Sequence, residues 1–156
     1  MKSSPPSTDN RQTTTDDLIQ IEAGLEDLHN VVEAMVDRIP AEAVISLRGD
    51  LAAGKTTLVQ AIARRLGVEG GVSSPTFSLQ HRYGERLYHY DLYRKSFDEV
   101  AQLGLLESFE EPGWHLVEWA DDALKAFCKT AGYPLWQVTI LPHEERRIYR
   151  IESLDA

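Results

Sequence analysis

One short segment of the chain has the residue pattern of a phosphate-binding loop. Residues 49–56 match the pattern G-x-x-x-x-G-K-[ST] without a gap. The glycines of such a loop adopt backbone dihedrals that other residues resist, so successive N–H groups can point toward phosphate oxygens at the positive end of the following helix. The expected phosphate cradle consists of Gly49, Asp50, Leu51, Ala52, Ala53, Gly54, Lys55, Thr56 and Thr57.

The end of this loop and the segments around it support the same interpretation. Lys55 supplies a point charge for the β and γ phosphates of ATP, and the Thr56 hydroxyl is a hard oxygen ligand for Mg²⁺. A near-continuous apolar run at residues 43–47 precedes the loop, as expected of a buried parallel strand. Apolar residues then recur at helical spacing from Lys55 up to Gly67, which can end a helix. The order of strand, loop and helix favours a functional nucleotide site over a chance match.

The other segments predict one α/β domain. A strand is expected at residues 18–21 and a helix from Leu25 to Ile39. Aromatic-rich, period-two segments at 77–83 and 87–93 predict a hairpin. The remaining expected elements are a helix between Phe97 and Phe109, a strand at 114–119, a short helix at 123–127 and a second hairpin of 136–141 with 147–151. We therefore expect a P-loop NTPase-like three-layer sandwich, with a mixed parallel/antiparallel central sheet at residues 16–156, after a disordered tail at 1–15.

Composition narrows the class of protein. The chain has 156 residues, 42% of them hydrophobic, which suits one domain with an ordinary packed core. Its 25 acidic residues outnumber 16 basic ones, and a net charge of −9 disfavours tight binding to a polyanion such as tRNA. A single cysteine, Cys128, can form no internal disulfide, and the polar first residues have no apolar segment of a secretory signal. These features predict a cytoplasmic protein without a membrane segment.

Two carboxylates compete for a second position next to the metal. A P-loop holds only part of the Mg²⁺ coordination, so an acidic residue is expected at the end of a neighbouring buried strand. Glu118 follows an apolar approach at residues 115–117 and is the first candidate, while Asp91 is the second. Strand alternation puts His89 on the same face as Asp91, where it could orient a water or a ligand. A satisfied structural histidine is the favoured interpretation of His89.

Four motifs in order resemble those of a known family. They are GDLAAGKTT, SSPTF, YHYDLYR and LVEW, and the resemblance that they carry covers the chain from about Leu18 to Ile151. The set closely resembles the TsaE family, the ATPase of bacterial tRNA threonylcarbamoyladenosine biosynthesis. The resemblance implies an ATPase that is weak alone and acts on a complex of TsaD-type and TsaB-type proteins, which itself handles the tRNA.

The resemblance also implies roles for individual residues. Thr56 and Glu118 would hold magnesium, Trp119 would lie by the nucleotide, and Asp91 would matter for activity. The segment 74–76 would behave as a switch loop, and Arg146 would lie near the nucleotide. Ala52 departs from the glycine that the family usually has, at a position that the general P-loop pattern leaves unconstrained.

A small-molecule kinase is the alternative interpretation, because P-loop kinases share the strand, loop and helix. Such kinases usually carry an arginine-rich lid that closes over the transferred phosphate. Here the paired arginines at 64–65 lie on the P-loop helix and those at 146–147 lie on the last hairpin. The sequence shows no obvious lid between them, so the ATPase is preferred.

Overall fold

The computed structural model describes residues 13–14, 18–50, 54–68 and 79–155. Eight strands in these ranges form one sheet in the order β1-β2-β8-β7-β3-β6-β5-β4. The central strands β7, β3, β6 and β5 are mutually parallel, and the outer pairs are antiparallel. The strands are β1 (Thr13–Thr14), β2 (Leu18–Ala23), β3 (Ala43–Arg48), β4 (Gln80–Tyr83), β5 (Leu87–Asp91), β6 (Trp114–Glu118), β7 (Leu135–His143) and β8 (Arg146–Ser153).

Helices cover both faces of the sheet. Helices α1 (Leu28–Arg38) and α2 (Lys55–Arg65) pack on one face, where Ile45 and Leu47 of β3 join their core. Helices α3 (Phe97–Gln102) and α4 (Asp122–Ala131) pack on the other, where Val44 lies. Because successive strand residues face opposite sides, the all-buried residues 43–47 supply both cores. The predicted three-layer α/β sandwich with a mixed sheet is confirmed.

Three predicted helices have different bounds in the structure. The helix expected from Leu25 to Ile39 begins as a 3₁₀ turn at Leu25–Asp27 and becomes α-helical only at Leu28. The helix expected between Phe97 and Phe109 ends at Gln102, because Gly104 turns the chain with a φ of 79°, and a 3₁₀ helix follows at Leu106–Glu110. Helix α4 is longer than the predicted 123–127.

Capping explains the full length of α4. The Asp121 carboxylate accepts a hydrogen bond from the Leu124 N–H at 2.8 Å and so satisfies a free donor of the first turn. At the other end, Gly132 has a φ of 88°, and its N–H bonds the Lys129 carbonyl. The predicted helix was too short because hydrophobic spacing alone does not show where caps lie.

The predicted N-terminal tail is described only in part. Residues 13–14 form the short strand β1, which pairs with Ile19 and Gln20 of β2. The other residues of that segment lie outside the described ranges, so a disordered tail stays a prediction. None of the described helices is both long and apolar enough to cross a membrane.

Candidate functional site

The parallel strands bring the predicted acidic residues and the P-loop to one edge of the sheet. Glu118, the last residue of β6, lies opposite Leu47 of β3 on one side and Asp91 of β5 on the other. The phosphate loop begins two residues after Leu47. The carboxyl ends of parallel strands are where open α/β sheets bind ligands.

The P-loop helix begins at a glycine with an unusual backbone. Gly54, the N-cap of α2, has a φ of 100°, in the left-handed region that favours glycine. As a glycine, Gly54 has no side chain that could cap the first turn of α2. The N-terminus of this eleven-residue helix presents a partial positive charge to an anion. Residues Leu51, Ala52 and Ala53 of the predicted cradle, and the predicted switch segment 74–76, lie outside the described residues.

Lys55 is buried in this site, and three of the described residues lie against its ammonium. Its side chain is 4% exposed, and its Nζ donates a hydrogen bond of 2.9 Å to the Gly49 carbonyl. The same ammonium lies 3.8 Å from Oε1 of Glu118 and 4.1 Å from the centre of the Trp119 ring. A buried ammonium needs such compensation, and carbonyl, carboxylate and indole together provide it.

Glu118 is held from its other side by a histidine. The carboxylate is almost fully buried, and its Oε2 lies 2.5 Å from Nε2 of His89. His89 has no exposed surface. The sequence favoured a satisfied structural role for His89, but its buried Nδ1 has no hydrogen-bond partner among the residues that the structure describes. Two features of the sequence could have predicted this contact. Strand alternation puts His89 on the same face as Asp91, and the neighbouring parallel strand ends in Glu118.

Asp91 has a different environment from Glu118. Its Oδ1 accepts a hydrogen bond of 3.1 Å from the N–H of Tyr93, two residues further along its own chain. The carboxylate is half-buried, and the strand register places it beside Glu118. Of the two competing acids, Glu118 is therefore the one that the structure places against Lys55.

Trp119 follows Glu118 and covers the lysine. Its φ of 67° is uncommon for a bulky residue, and its side chain is 36% exposed. The ring lies 5.1 Å from that of Tyr93, so two aromatic side chains flank the site. A strained backbone at the end of a sheet is a feature of ligand sites, where the surrounding structure enforces it.

Arg146 lies apart from this cluster. Its guanidinium donates to Oδ2 of Asp27 at 2.7 Å and lies 3.4 Å from Oε2 of Glu22. The hydrogen bond from Arg146 lowers the pKa of Asp27 below its usual value. Arg146 is thus committed to two carboxylates next to the 3₁₀ turn, and its predicted place near the nucleotide stays a prediction.

A cleft of about 430 Å³ opens beside Lys55. It runs along the ends of β3 and β7 toward the start of α4, and both acidic and basic groups line it. Its lining includes Arg48, Asp50, Lys55, Trp119, Asp122 and Lys125. The volume falls within the range of small-molecule sites.

The residues present fit a nucleoside triphosphate with magnesium. A buried lysine, the N-terminus of a helix and a buried carboxylate next to that lysine form the donor set that phosphate and a hard divalent cation require. The phosphate charges would be met by Lys55 and the α2 N-terminus, and the cation by oxygens of Thr56 and Glu118.

The fold and this site define a P-loop α/β protein, the class that binds nucleotides. Residues 23–148 match the family model described as "Threonylcarbamoyl adenosine biosynthesis protein TsaE". The chain belongs to the TsaE family. The resemblance seen in its four motifs is thereby confirmed.

Individual relatives agree with this assignment. The chain is 48% identical over 80 residues to the tRNA threonylcarbamoyladenosine biosynthesis protein TsaE of Bacillus subtilis (strain 168), covering 49% of this chain and 50% of that protein. It is 39% identical over 118 residues to the protein of the same name from Nostoc sp. (strain PCC 7120 / SAG 25.82 / UTEX 2576), covering 70% and 73%. The chain spans about half the length of the first of these relatives.

A solved structure has the same fold. The crystal structure of Bacillus subtilis YdiB superposes with a TM-score of 0.63 at 25% identity. The superposition covers 91% of this chain and 89% of that chain. The shared architecture therefore extends over nearly the whole molecule.

Proposed function

We propose that this chain is the ATP-binding and ATP-hydrolysing component of the machinery that makes threonylcarbamoyladenosine in tRNA. It acts in the cytoplasm on a complex of TsaD-type and TsaB-type proteins, which modifies the adenosine next to the anticodon. The observation that carries the proposal is the contact between Lys55 and Glu118 at the N-terminus of α2. Membership of the TsaE family supports the pathway.

Each side chain of the site has a role in this proposal. Lys55 leaves the Gly49 carbonyl and the Trp119 ring to neutralise the β and γ phosphates, aided by the N–H groups of α2. Thr56 and Glu118 provide oxygens for Mg²⁺, which supplies charge neutralisation at the phosphates when bound. Asp91, the last residue of the neighbouring strand β5, assists hydrolysis. Its carboxylate is held in place by the hydrogen bond from the N–H of Tyr93.

The proposal includes slow hydrolysis by the chain alone. In the described part of the chain, the hydrogen bonds, ion pair and cation–π contact made by the Glu118 carboxylate and the Lys55 ammonium join them to each other, to His89, to the Gly49 carbonyl and to the Trp119 ring. An arginine is not among them, yet an arginine aimed at the transferred phosphate raises hydrolysis rates about a thousandfold or more in P-loop proteins. The partner complex is therefore proposed to complete the site.

The test measures inorganic phosphate released from ATP with Mg²⁺, by the purified chain alone and with a TsaD/TsaB-type complex. We expect slow release alone and stimulation by the complex. Fast release alone, or no response to the complex, would contradict the proposed partnership. Phosphate that moves to a small-molecule acceptor instead of water would favour the kinase.

Variants assign the metal ligands in the same assay. Thr56→Ala and Glu118→Ala are expected to impair Mg²⁺-dependent hydrolysis more than ATP binding, because both are proposed to hold the metal. Lys129→Ala, an exposed lysine of α4, serves as the control. Unchanged Mg²⁺ dependence in Glu118→Ala would move the role to Asp91.

A further inference from the structure

We propose that His89 is a positioning residue, whose Nε2–H orients the Glu118 carboxylate toward the metal and phosphates. The inference rests on the proposed function and adds a residue that the motif pattern did not assign. Its basis is a buried chain of three groups from three elements: the His89 imidazole, the Glu118 carboxylate and the Lys55 ammonium.

The two oxygens of Glu118 are used differently. Oε2 is 2.5 Å from Nε2 of His89, whereas Oε1 lies 3.8 Å from Nζ of Lys55, beyond normal hydrogen-bond length. A carboxylate only accepts hydrogen bonds, so His89 must carry a proton on Nε2. That bond fixes the plane of the carboxylate and leaves Oε1 facing the P-loop lysine with lone pairs available for a hard cation.

Packing alone does not explain a histidine at this position. His89 lies opposite Leu116 of β6 and two residues after Leu87, both core residues of the α1 and α2 face. An apolar side chain would fill such a place without a polar atom to satisfy, but the imidazole leaves Nδ1 buried and, within the described ranges, without a hydrogen-bond partner. Burying Nδ1 without a partner costs free energy. A role for the Nε2–H bond in orienting Glu118 explains why a histidine is present despite that cost.

A side chain that hydrogen-bonds a metal ligand sets the orientation of that ligand. Removal of such a side chain typically weakens metal binding about 10- to 100-fold. In His89→Phe the aromatic volume stays and the donor is lost. In His89→Gln an amide N–H can donate in place of Nε2. The two variants therefore separate hydrogen bonding from packing.

The first measurement is the Kd of Mn²⁺ for protein saturated with ADP. The signal of free Mn²⁺ in electron paramagnetic resonance gives this Kd. We expect His89→Phe to raise this Kd about 10- to 100-fold and His89→Gln to stay much closer to wild type. His115→Phe is the matched control, because His115 is also buried and hydrogen-bonded but lies on the opposite face of the sheet. In a Glu118→Ala background, His89→Phe should add no further effect.

The second measurement needs no nucleotide and no substitution at His89. The wild-type protein should show an imidazole N–H proton that is protected from solvent exchange by nuclear magnetic resonance, with its protection lost in Glu118→Ala. An unprotected His89 N–H, or one unchanged in Glu118→Ala, overturns the inference even if His89→Phe does not fold.

The outcomes distinguish the two proposals. Wild-type protein that binds no Mn²⁺ in the presence of ADP would contradict the proposed function. Wild-type Mn²⁺ binding together with an unchanged Kd in His89→Phe overturns the role of His89 alone.

Discussion

The Lys55 ammonium has three kinds of protein partner among the described residues. Gly49 supplies a carbonyl, Glu118 a carboxylate and Trp119 an aromatic ring, all within about 4 Å of the ammonium. To interact with the positive charge of Lys55, phosphates must replace the Gly49 carbonyl and the Trp119 ring as partners of the ammonium. Under the proposed function, the affinity for ATP would therefore depend on the difference in free energy between the protein contacts of Lys55 and its contacts with phosphate.

Lys55→Ala should weaken ATP binding strongly while the protein stays folded. Hydrogen bonds to charged groups contribute about 1.5–3 kcal/mol, which corresponds to roughly a 10- to 100-fold rise in Kd. The fold should survive because Glu118 keeps its bond to His89. Calorimetric titration with ATP and a thermal unfolding curve measure both effects, with Lys129→Ala as the surface control. Normal ATP affinity in Lys55→Ala would contradict the phosphate site.

Trp119 should report ligand binding by its fluorescence. Its ring is in contact with the Lys55 ammonium, so movement of that charge toward phosphates changes the environment of the indole. We expect ATP to alter the tryptophan emission of wild type and of Trp136→Phe, because Trp136 is the second residue of β7 and lies toward the end of the sheet opposite the phosphate loop. Trp119→Phe should abolish the change, and a response that persists there would place the reporting residue elsewhere.

At the scale of elements, a second buried histidine, His115 of β6, links strand β5 to the segment that precedes β6. The Tyr90 hydroxyl of β5 donates to Nδ1 of His115 at 2.7 Å, and Nε2 of His115 donates to the Glu111 carbonyl at 2.8 Å. Tyr88 stacks on the same ring at 4.4 Å between centres. The neutral imidazole with its proton on Nε2 satisfies both ring nitrogens of His115, whereas Nδ1 of His89 has no hydrogen-bond partner among the described residues.

This network should make the protein sensitive to acid. Burial lowers the pKa of His115 below its ordinary value near 6.5. The unfolded chain therefore binds a proton at a higher pH than the folded one, so the stabilisation is fully present above about pH 6.5 and is lost as the pH falls toward the folded-state pKa. One such group changes the free energy of unfolding by at most about 1.4 kcal/mol per pH unit.

Urea unfolding from pH 7 down to pH 5 tests this expectation. His115→Gln should show a shallower loss of stability with falling pH than wild type, because Gln carries no titrating proton. His29→Gln, which removes an exposed histidine of α1, should follow the wild-type slope. Equal slopes in His115→Gln and wild type would remove His115 from the acid response.

At the scale of the whole molecule, charge bears on the choice of partner. Nine more acidic than basic side chains make the molecule repel a polyanion at long range. The lone chain should show no saturable tRNA binding below about 10 µM at physiological salt, since non-specific affinities depend on basic groups near phosphates. A filter-binding titration, repeated with the TsaD/TsaB-type complex present, measures this. Tight binding by the lone chain would contradict the proposed division of labour.

The elements that local pattern specifies were predicted well. The apolar run at 43–47, the hairpin around Gly84 and the strand ending at Glu118 are confirmed, because burial on two faces and turn chemistry leave signals within a few residues. The bounds of α1, α3 and α4 were less accurate. Hydrophobic spacing does not distinguish a 3₁₀ turn from an α-helix, and caps depend on single hydrogen bonds.

The sequence by itself determined the phosphate loop, its strand and helix, and the family, because these depend on contiguous residues with fixed spacing. Only the tertiary structure decided which carboxylate lies against Lys55 and which side chain hydrogen-bonds the other oxygen of that carboxylate. Those contacts join residues far apart in the chain, and they follow from the parallel register of β3, β6 and β5. A shift of one residue would turn Glu118 to the other face of the sheet and away from His89 and Lys55.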